Sequence, residues 1–208
     1  THLDIGCGNG AAMFLLSQKM KSCVGIDIVN DYEQDINDYL KKNNISNCRF
    51  QCVDIEKDIS SLQQQFDRIT SFEVIEHLHD ENSVSIYRKL LKDDGLMAIS
   101  VPNKWWIFET HGAKLPLLPW NRVPFFSWLP RFLHERWANA RIYTKGRITR
   151  LLERNGFEVL HSSYITAPMD VLKEGRPKRL LVKYLFKNDT TKNPFKSTAI
   201  LVIARRRK

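Results

Sequence analysis

A chain of 208 residues, 43% of them hydrophobic, is long enough to bury one α/β core and too short for a second full domain. A formal charge of +9 suggests polyanionic partners such as nucleic acid or lipid headgroups without choosing between them. No apolar run approaches the roughly 18 residues that span a bilayer. No signal peptide is evident, and the four cysteines lack paired C-x-x-C spacing, which favours buried thiols in a cytoplasmic protein over a disulfide or zinc scaffold.

The first element is a buried strand ending in Leu3-Asp4-Ile5, followed by the turn Gly6-Cys7-Gly8-Asn9-Gly10 and a helix over Ala11 to Met20. Glycines at alternate positions let the backbone pass close to a ligand, and the N–H groups at a helix start attract an anionic group. Gly6-x-Gly8-x-x-Ala11 also satisfies the loose dinucleotide fingerprint. Asp4, however, sets a carboxylate at the strand end, where it repels a pyrophosphate and suits an ammonium. S-adenosylmethionine carries both an ammonium and a carboxylate, and is the cofactor expected here.

The second strand, Cys23 to Asp27, ends in an acid at the ~20-residue offset where a carboxylate accepts hydrogen bonds from ribose hydroxyls. That feature fits NAD equally well. A helix over Tyr32 to Asn43 follows, then a third strand, Cys48 to Ile55, whose Asp54 is placed to accept from an adenine amino group. Ile59 to Gln65 reads as a turn or short helix. The fourth strand, written over Phe66 to Leu78, brings Glu73, Glu76 and His77 to the same sheet edge. A helix over Asn82 to Lys92, a turn at Asp93-Asp94-Gly95 and a fifth strand, Leu96 to Val101, stopped by Pro102, complete a βαβα rhythm that implies a parallel sheet with helices on both faces.

From Asn103 to Tyr143 the rhythm gives way to a proline-rich stretch crowded with Trp and Phe, including Trp105, Trp106, Phe125, Trp128 and Phe132. It leaves the carboxyl end of the fifth strand, so it is expected to form a lid over the ligand crevice, with rings turned to substrate or membrane. Arg131, Arg136 and Arg141 among the rings suit an interfacial segment. Helical spacing returns over Thr144 to Leu152, Phe157 to Ile165 reads as a strand, and Thr198 to Ala204 as the last one. Basic residues concentrate late, at Arg176, Lys178, Arg179, Lys183, Lys187, Lys192, Lys196 and Arg205 to Lys208.

As an ordered set, Leu3 to Gly10, Gly25-Ile26-Asp27, Val53-Asp54-Ile55 and Phe72 to His77 resemble the motifs of class I S-adenosylmethionine-dependent methyltransferases. The resemblance covers about the first half of the chain, which is similar to the ubiquinone-pathway O-methyltransferase-like group. It implies a Rossmann-like fold: a mostly parallel seven-stranded sheet with an antiparallel last strand, in a single domain over residues 1–208. Such enzymes usually carry a helix before the first strand, so a trimmed N-terminus is expected. The resemblance places Asp4, Gly6, Cys7, Gly8, Gly10, Asp27, Ile28, Asp54, Ile55, Phe72 and Glu73 at the cofactor.

Methyl transfer to a hydroxyl needs a group to take the proton, and the candidates are His77 and His111, with His111 of the lid nearer an acceptor. Trp105, Trp106 and His111 are the expected substrate contacts. A metal-free site is the preferred expectation. The alternative is a divalent cation on Glu73, Glu76 and His77, joined by His111 or His134, because the segment is similar to that of small-RNA 3′-terminal 2′-O-methyltransferases. The histidine pair of those enzymes is absent. The apolar insertion after the fifth strand resembles that of the ubiquinone-pathway O-methyltransferases, which implies an amphipathic, lipid-linked or glycan acceptor, with peripheral membrane contact through the lid and the basic C-terminal part. RNA is the runner-up acceptor, and a catalytically silent cofactor-binding protein is a third reading.

Overall fold

The computed structural model describes residues 1–62, 64–120, 123–169 and 172–207. Gln63 of the expected turn, Asn121 and Arg122 of the lid, and Lys208 of the basic tail lie outside them. The strands are β1 (His2–Ile5), β2 (Cys23–Asp27), β3 (Cys48–Cys52), β4 (Phe66–Phe72), β5 (Leu91–Pro102), β6 (Phe157–Thr166), β7 (Thr190–Thr191) and β8 (Ser197–Arg206). The helices are α1 (Ala11–Ser17), α2 (Glu33–Lys42), α3 (Ser85–Leu90), α4 (Arg131–Trp137), α5 (Lys145–Arg154) and α6 (Arg176–Leu185).

The strands run in the order β3-β2-β1-β4-β5-β8-β6-β7. β1 pairs in parallel with both β2 and β4, and β2 with β3, as βαβ units require. β8 runs antiparallel to its neighbours: near its start the Thr198 carbonyl accepts from the Asn103 N–H at the end of β5, while near its end Arg206 reaches the Leu91 carbonyl at the start of β5. The sheet is thus mixed and Rossmann-like. Its eighth strand, the two-residue β7, pairs antiparallel with β6 and accounts for the one strand beyond the seven expected.

Contacts group the chain into two compact units. Unit 1 comprises 1–99, 150–160 and 203–208; unit 2 comprises 100–149 and 161–202. In unit 1, Leu3, Val24, Ile26, Ile69 and Met97 are buried, and Cys7, Met13, Cys23, Ile36 and Leu40 form a cluster between β2 and the helices α1 and α2. Two of those cluster members are cysteines, and all four cysteines are free thiols. Unit 2 has its own cluster, in which Trp106, Ala167 and Met169 are covered by Leu181 and Val182 of α6.

Several boundaries differ from the expected ones. β4 stops at Phe72, because Glu73 adopts a left-handed backbone (φ 56°) and Ile75–His77 forms a single 3₁₀ turn. Of the turn or short helix expected over Ile59 to Gln65, the described residues form the turn, with the Leu62 N–H donating to the Ile59 carbonyl at 2.9 Å. Asp93-Asp94-Gly95 does not turn the chain: Lys92 pairs with Asp67 at 2.8 Å and Asp93 with Arg206 at 2.9 Å, which hold the segment extended as the first half of β5. The helix expected over Asn82 to Lys92 begins as a 3₁₀ turn capped by Asp80 and ends at Leu90. α6 was hidden in what reads as a charge cluster.

Candidate active site

The chain leaves β1 at Ile5 and turns through Gly6, Cys7 and Gly8 into α1. Gly6 and Cys7 both donate to the Ile26 carbonyl, at 2.8 and 3.0 Å, so the loop is laced to the end of β2. Gly6 has φ 71°, and a Cβ there would lie 2.3 Å from Cγ2 of Val74, so only glycine lets the loop pass the segment after β4. Gly8 has φ 49° but faces open space; its requirement is conformational alone.

Asp27 ties this loop to the next. One carboxylate oxygen accepts the Gly8 N–H at 2.9 Å and the other accepts the Val29 N–H at 3.0 Å. Each oxygen keeps a further lone pair, so the carboxylate is oriented by the backbone and still able to accept from a ligand. Beside it lies a cavity of about 330 Å³, lined by Gly6, Asp27, Ile28, Asp54, Ile55, Phe72, Glu73 and His77 among the expected residues. Ile5, Ile26, Val53, Glu56, Val74 and Leu78 complete the wall. The lining is apolar with carboxylates at intervals.

Those carboxylates are individually fixed. Asp54 accepts the Glu56 N–H at 3.0 Å and pairs with Lys57 at 3.0 Å, and the Lys57 hydrogen bond holds its carboxyl below the usual range. Glu56 was not anticipated. Burial opposes its ionisation, but the Ser83 hydroxyl and the backbone N–H groups of His79 and Asp80 donate to it and hold it below the usual range. It stands two residues after Asp54, a spacing that offered no signal. Glu76, in contrast, is 2% exposed, and burial together with the neighbouring Glu73 carboxylate pushes its pKa well above the normal range. A carboxyl held neutral is a poor cation ligand until it gives up its proton.

Asp4, Cys7, Gly8 and Gly10 do not line the cavity. Asp4 is 2% exposed, accepts from the Thr70 hydroxyl at 2.6 Å and leaves its second oxygen without a hydrogen bond. Burial pushes its pKa up to about 6 against the lowering pull of Thr70. Thr70 has one proton, donated to Asp4, so it accepts from Nε2–H of the buried His2 at 2.8 Å. Asp4 therefore sits as a second layer behind the glycine loop.

Unit 2 holds the expected lid residues. His111 has Nδ1 2.9 Å from the Thr110 hydroxyl, and its backbone N–H donates to Glu109. Glu109 is buried, and its other oxygen lies 2.6 Å from Nε2 of the buried His134. This pair takes His134 out of the set of metal-ligand candidates. Trp106 is 4% exposed and packs in the unit 2 cluster, which makes it a core residue rather than an accessible substrate contact. Trp105, Trp128, Phe125 and Phe195 form a chain of edge-on and tilted ring contacts with centroids 4.8 to 6.5 Å apart. Phe125 and Phe195 in that chain remain 51% exposed.

The methyltransferase-domain model matches residues 1–162, which is most of the chain. The chain belongs to the methyltransferase-domain family. Among curated relatives, this methyltransferase domain is 28% identical over 169 residues to a ubiquinone biosynthesis O-methyltransferase of Bartonella tribocorum, covering 79% of the chain and 62% of the relative. It is 29% identical over 104 residues to the protein of that name from Neisseria meningitidis, covering 49% of the chain and 44% of the relative. The chain thus spans between about half and three fifths of these relatives' length. Its fold is shared with an S-adenosylmethionine-dependent methyltransferase from Mesorhizobium loti, with a TM-score of 0.66 at 17% identity over 99% of this chain and 90% of that one. Among the described residues, no helix is long and apolar enough to cross a membrane.

Proposed function

We propose that this domain transfers a methyl group from S-adenosylmethionine to an oxygen of an amphipathic acceptor of lipid-linked or glycan type. The observation that carries the reading is Asp27, whose carboxylate is held by two backbone N–H groups at the rim of a cavity large enough for a small ligand. S-adenosylmethionine supplies an electrophilic methyl on a sulfonium, and that positive charge is lost on transfer. Asp27 accepts from the ribose hydroxyls, and Ile28, Ile55 and Phe72 form the apolar walls for the base. Asp54 takes the adenine amino group. Glu73 and the loop from Gly6 to Gly10 face the amino-acid end, and Asp4 lends negative potential to the ammonium from behind the loop.

His77, exposed at the cavity wall, is proposed as the base that accepts the acceptor's hydroxyl proton, with His111 of the 103–143 segment as the alternative. Glu73, Glu76 and His77 work without a metal in this reading, in keeping with a Glu76 held protonated. For the acceptor class, support comes from the exposed rings of Phe125, Trp128 and Phe132 and from the relatives' printed activity. The same rings and the basic C-terminal stretch would rest on a membrane surface from the cytoplasmic side.

The test is transfer of tritiated methyl from S-adenosylmethionine into fractionated lipid, glycan and RNA pools. Label in lipid or glycan, lost in the His77→Ala or His111→Ala variant, is the expected result. Label confined to RNA overturns the acceptor, and no label in any pool overturns the activity.

A further inference from the structure

A second cavity in unit 1, of about 450 Å³, shares no residue with the one described above. Its lining is Ser85, Arg88 and Lys89 of α3, Arg154 at the end of α5, the turn Asn155-Gly156, and Arg206 near the end of β8. Four cations therefore surround one concavity. Among the described residues, Arg88, Lys89 and Arg154 pair with no carboxylate; Arg206 alone does, with Asp93, whose side chain is 92% exposed.

The placement of these groups is enforced. Gly156 has φ 82°, and a Cβ there would lie 2.9 Å from Cδ and Nε of Arg88, so the glycine turn lets the arginine stem lie flat against it. Arg206 is anchored by a hydrogen bond from one terminal nitrogen to the Leu91 carbonyl at 3.0 Å. Its Nε–H is buried with no acceptor. A buried donor is normally completed by a protein group, an ordered water or a bound group, so this N–H is able to take an acceptor from outside the chain.

The charge balance specifies the ligand class. The carbonyl ends of α3 and α5 each offer about half a negative charge, and Asp93 neutralises one cation. About two positive charges remain, matched by a phosphate dianion or a diphosphate, and arginine forks bind phosphate oxygens in pairs. We propose that this cavity is a binding site for a phosphate group, separate from the methyl-donor pocket and on a different set of elements.

Inorganic pyrophosphate is the probe, titrated by calorimetry into the full chain at constant ionic strength set with sodium chloride. The expected result is a dissociation constant of about 1 mM or tighter, weakened at least tenfold in Arg88→Gln/Arg154→Gln, with S-adenosylmethionine affinity unchanged. Lys89→Gln, on the exposed face of α3, is the second variant should the double one misfold, and it is expected to weaken pyrophosphate severalfold. Vesicles containing phosphatidic acid provide a second arm. Co-sedimentation lost in the same variants assigns the phosphate to a headgroup, and pyrophosphate binding alone assigns it to a soluble ligand. No pyrophosphate binding beyond that of chloride, or equal binding in the variants, overturns the proposal.

Discussion

Replacing Asp4 by asparagine isolates the energetic cost of the second layer behind the glycine loop. In the folded chain its pKa is about 6 against an ordinary value of 3.8, chiefly because burial disfavours the ionised form. A folded pKa above the unfolded one means that the ionised carboxylate destabilises the fold above pH 6, and that stability from this group rises as pH falls from 6 towards 3.8. The difference corresponds to about 3 kcal/mol at pH 8 and about 1.6 kcal/mol at pH 5. His2 works in the opposite sense, since burial lowers its pKa to about 4, so protonation of the unfolded chain costs stability as pH falls from 6.5 to 4. It titrates in both proteins, so comparing wild type with variant leaves mainly the Asp4 contribution. Urea unfolding should find Asp4→Asn more stable than wild type by up to about 3 kcal/mol at pH 8 and by about half that at pH 5, with an unchanged slope. A difference independent of pH, or a variant less stable at pH 8, would refute the reasoning. The variant should also lose affinity for the cationic cofactor. In the wild type that affinity should fall as pH drops through 6, when Asp4 takes up its proton.

Gly6→Ala should destabilise the fold by roughly 2–5 kcal/mol, from the left-handed backbone and the 2.3 Å approach to Val74; chemical denaturation checks it, and a loss under about 1 kcal/mol would mean that the loop relaxes freely. Turnover should persist in excess EDTA, because Glu76 is held protonated and His134 is bonded to Glu109. Loss of activity that magnesium or manganese restores would instead assign a cation to Glu73, Glu76 and His77.

The part of the fold most legible in the sequence is that governed by short-range rules. Gly6, Gly8 and Asp27 announce a strand, a tight loop and an acid at the next strand end, and the chain forms all three. Asp54, Phe72 and Glu73 reach the cavity wall for the same reason, because each closes or follows a parallel strand at the same sheet edge. What escaped reading depends on partners distant in the chain. Asp93-Asp94-Gly95 has turn chemistry, yet Asp67, 25 residues before Lys92, and Arg206, more than a hundred residues after Asp93, hold it in β5. The Glu109–His134 bond joins two residues 25 apart within an irregular stretch, so His134 looked available. Trp106 and Trp105 are adjacent and alike in composition, but the close packing of Ala167 and Met169 buries one and leaves the other beside an open ring cluster. α6 read as a charge cluster because its apolar face, Leu181 and Val182, is narrow among four cations.

Calorimetry of S-adenosylmethionine with the wild-type chain and with Asp27→Ala tests the central claim most directly. The account predicts binding that the substitution weakens at least tenfold, since the ribose hydroxyls lose an acceptor pre-oriented by Gly8 and Val29. Equal affinity in the two proteins, or preferential binding of a dinucleotide, would contradict it.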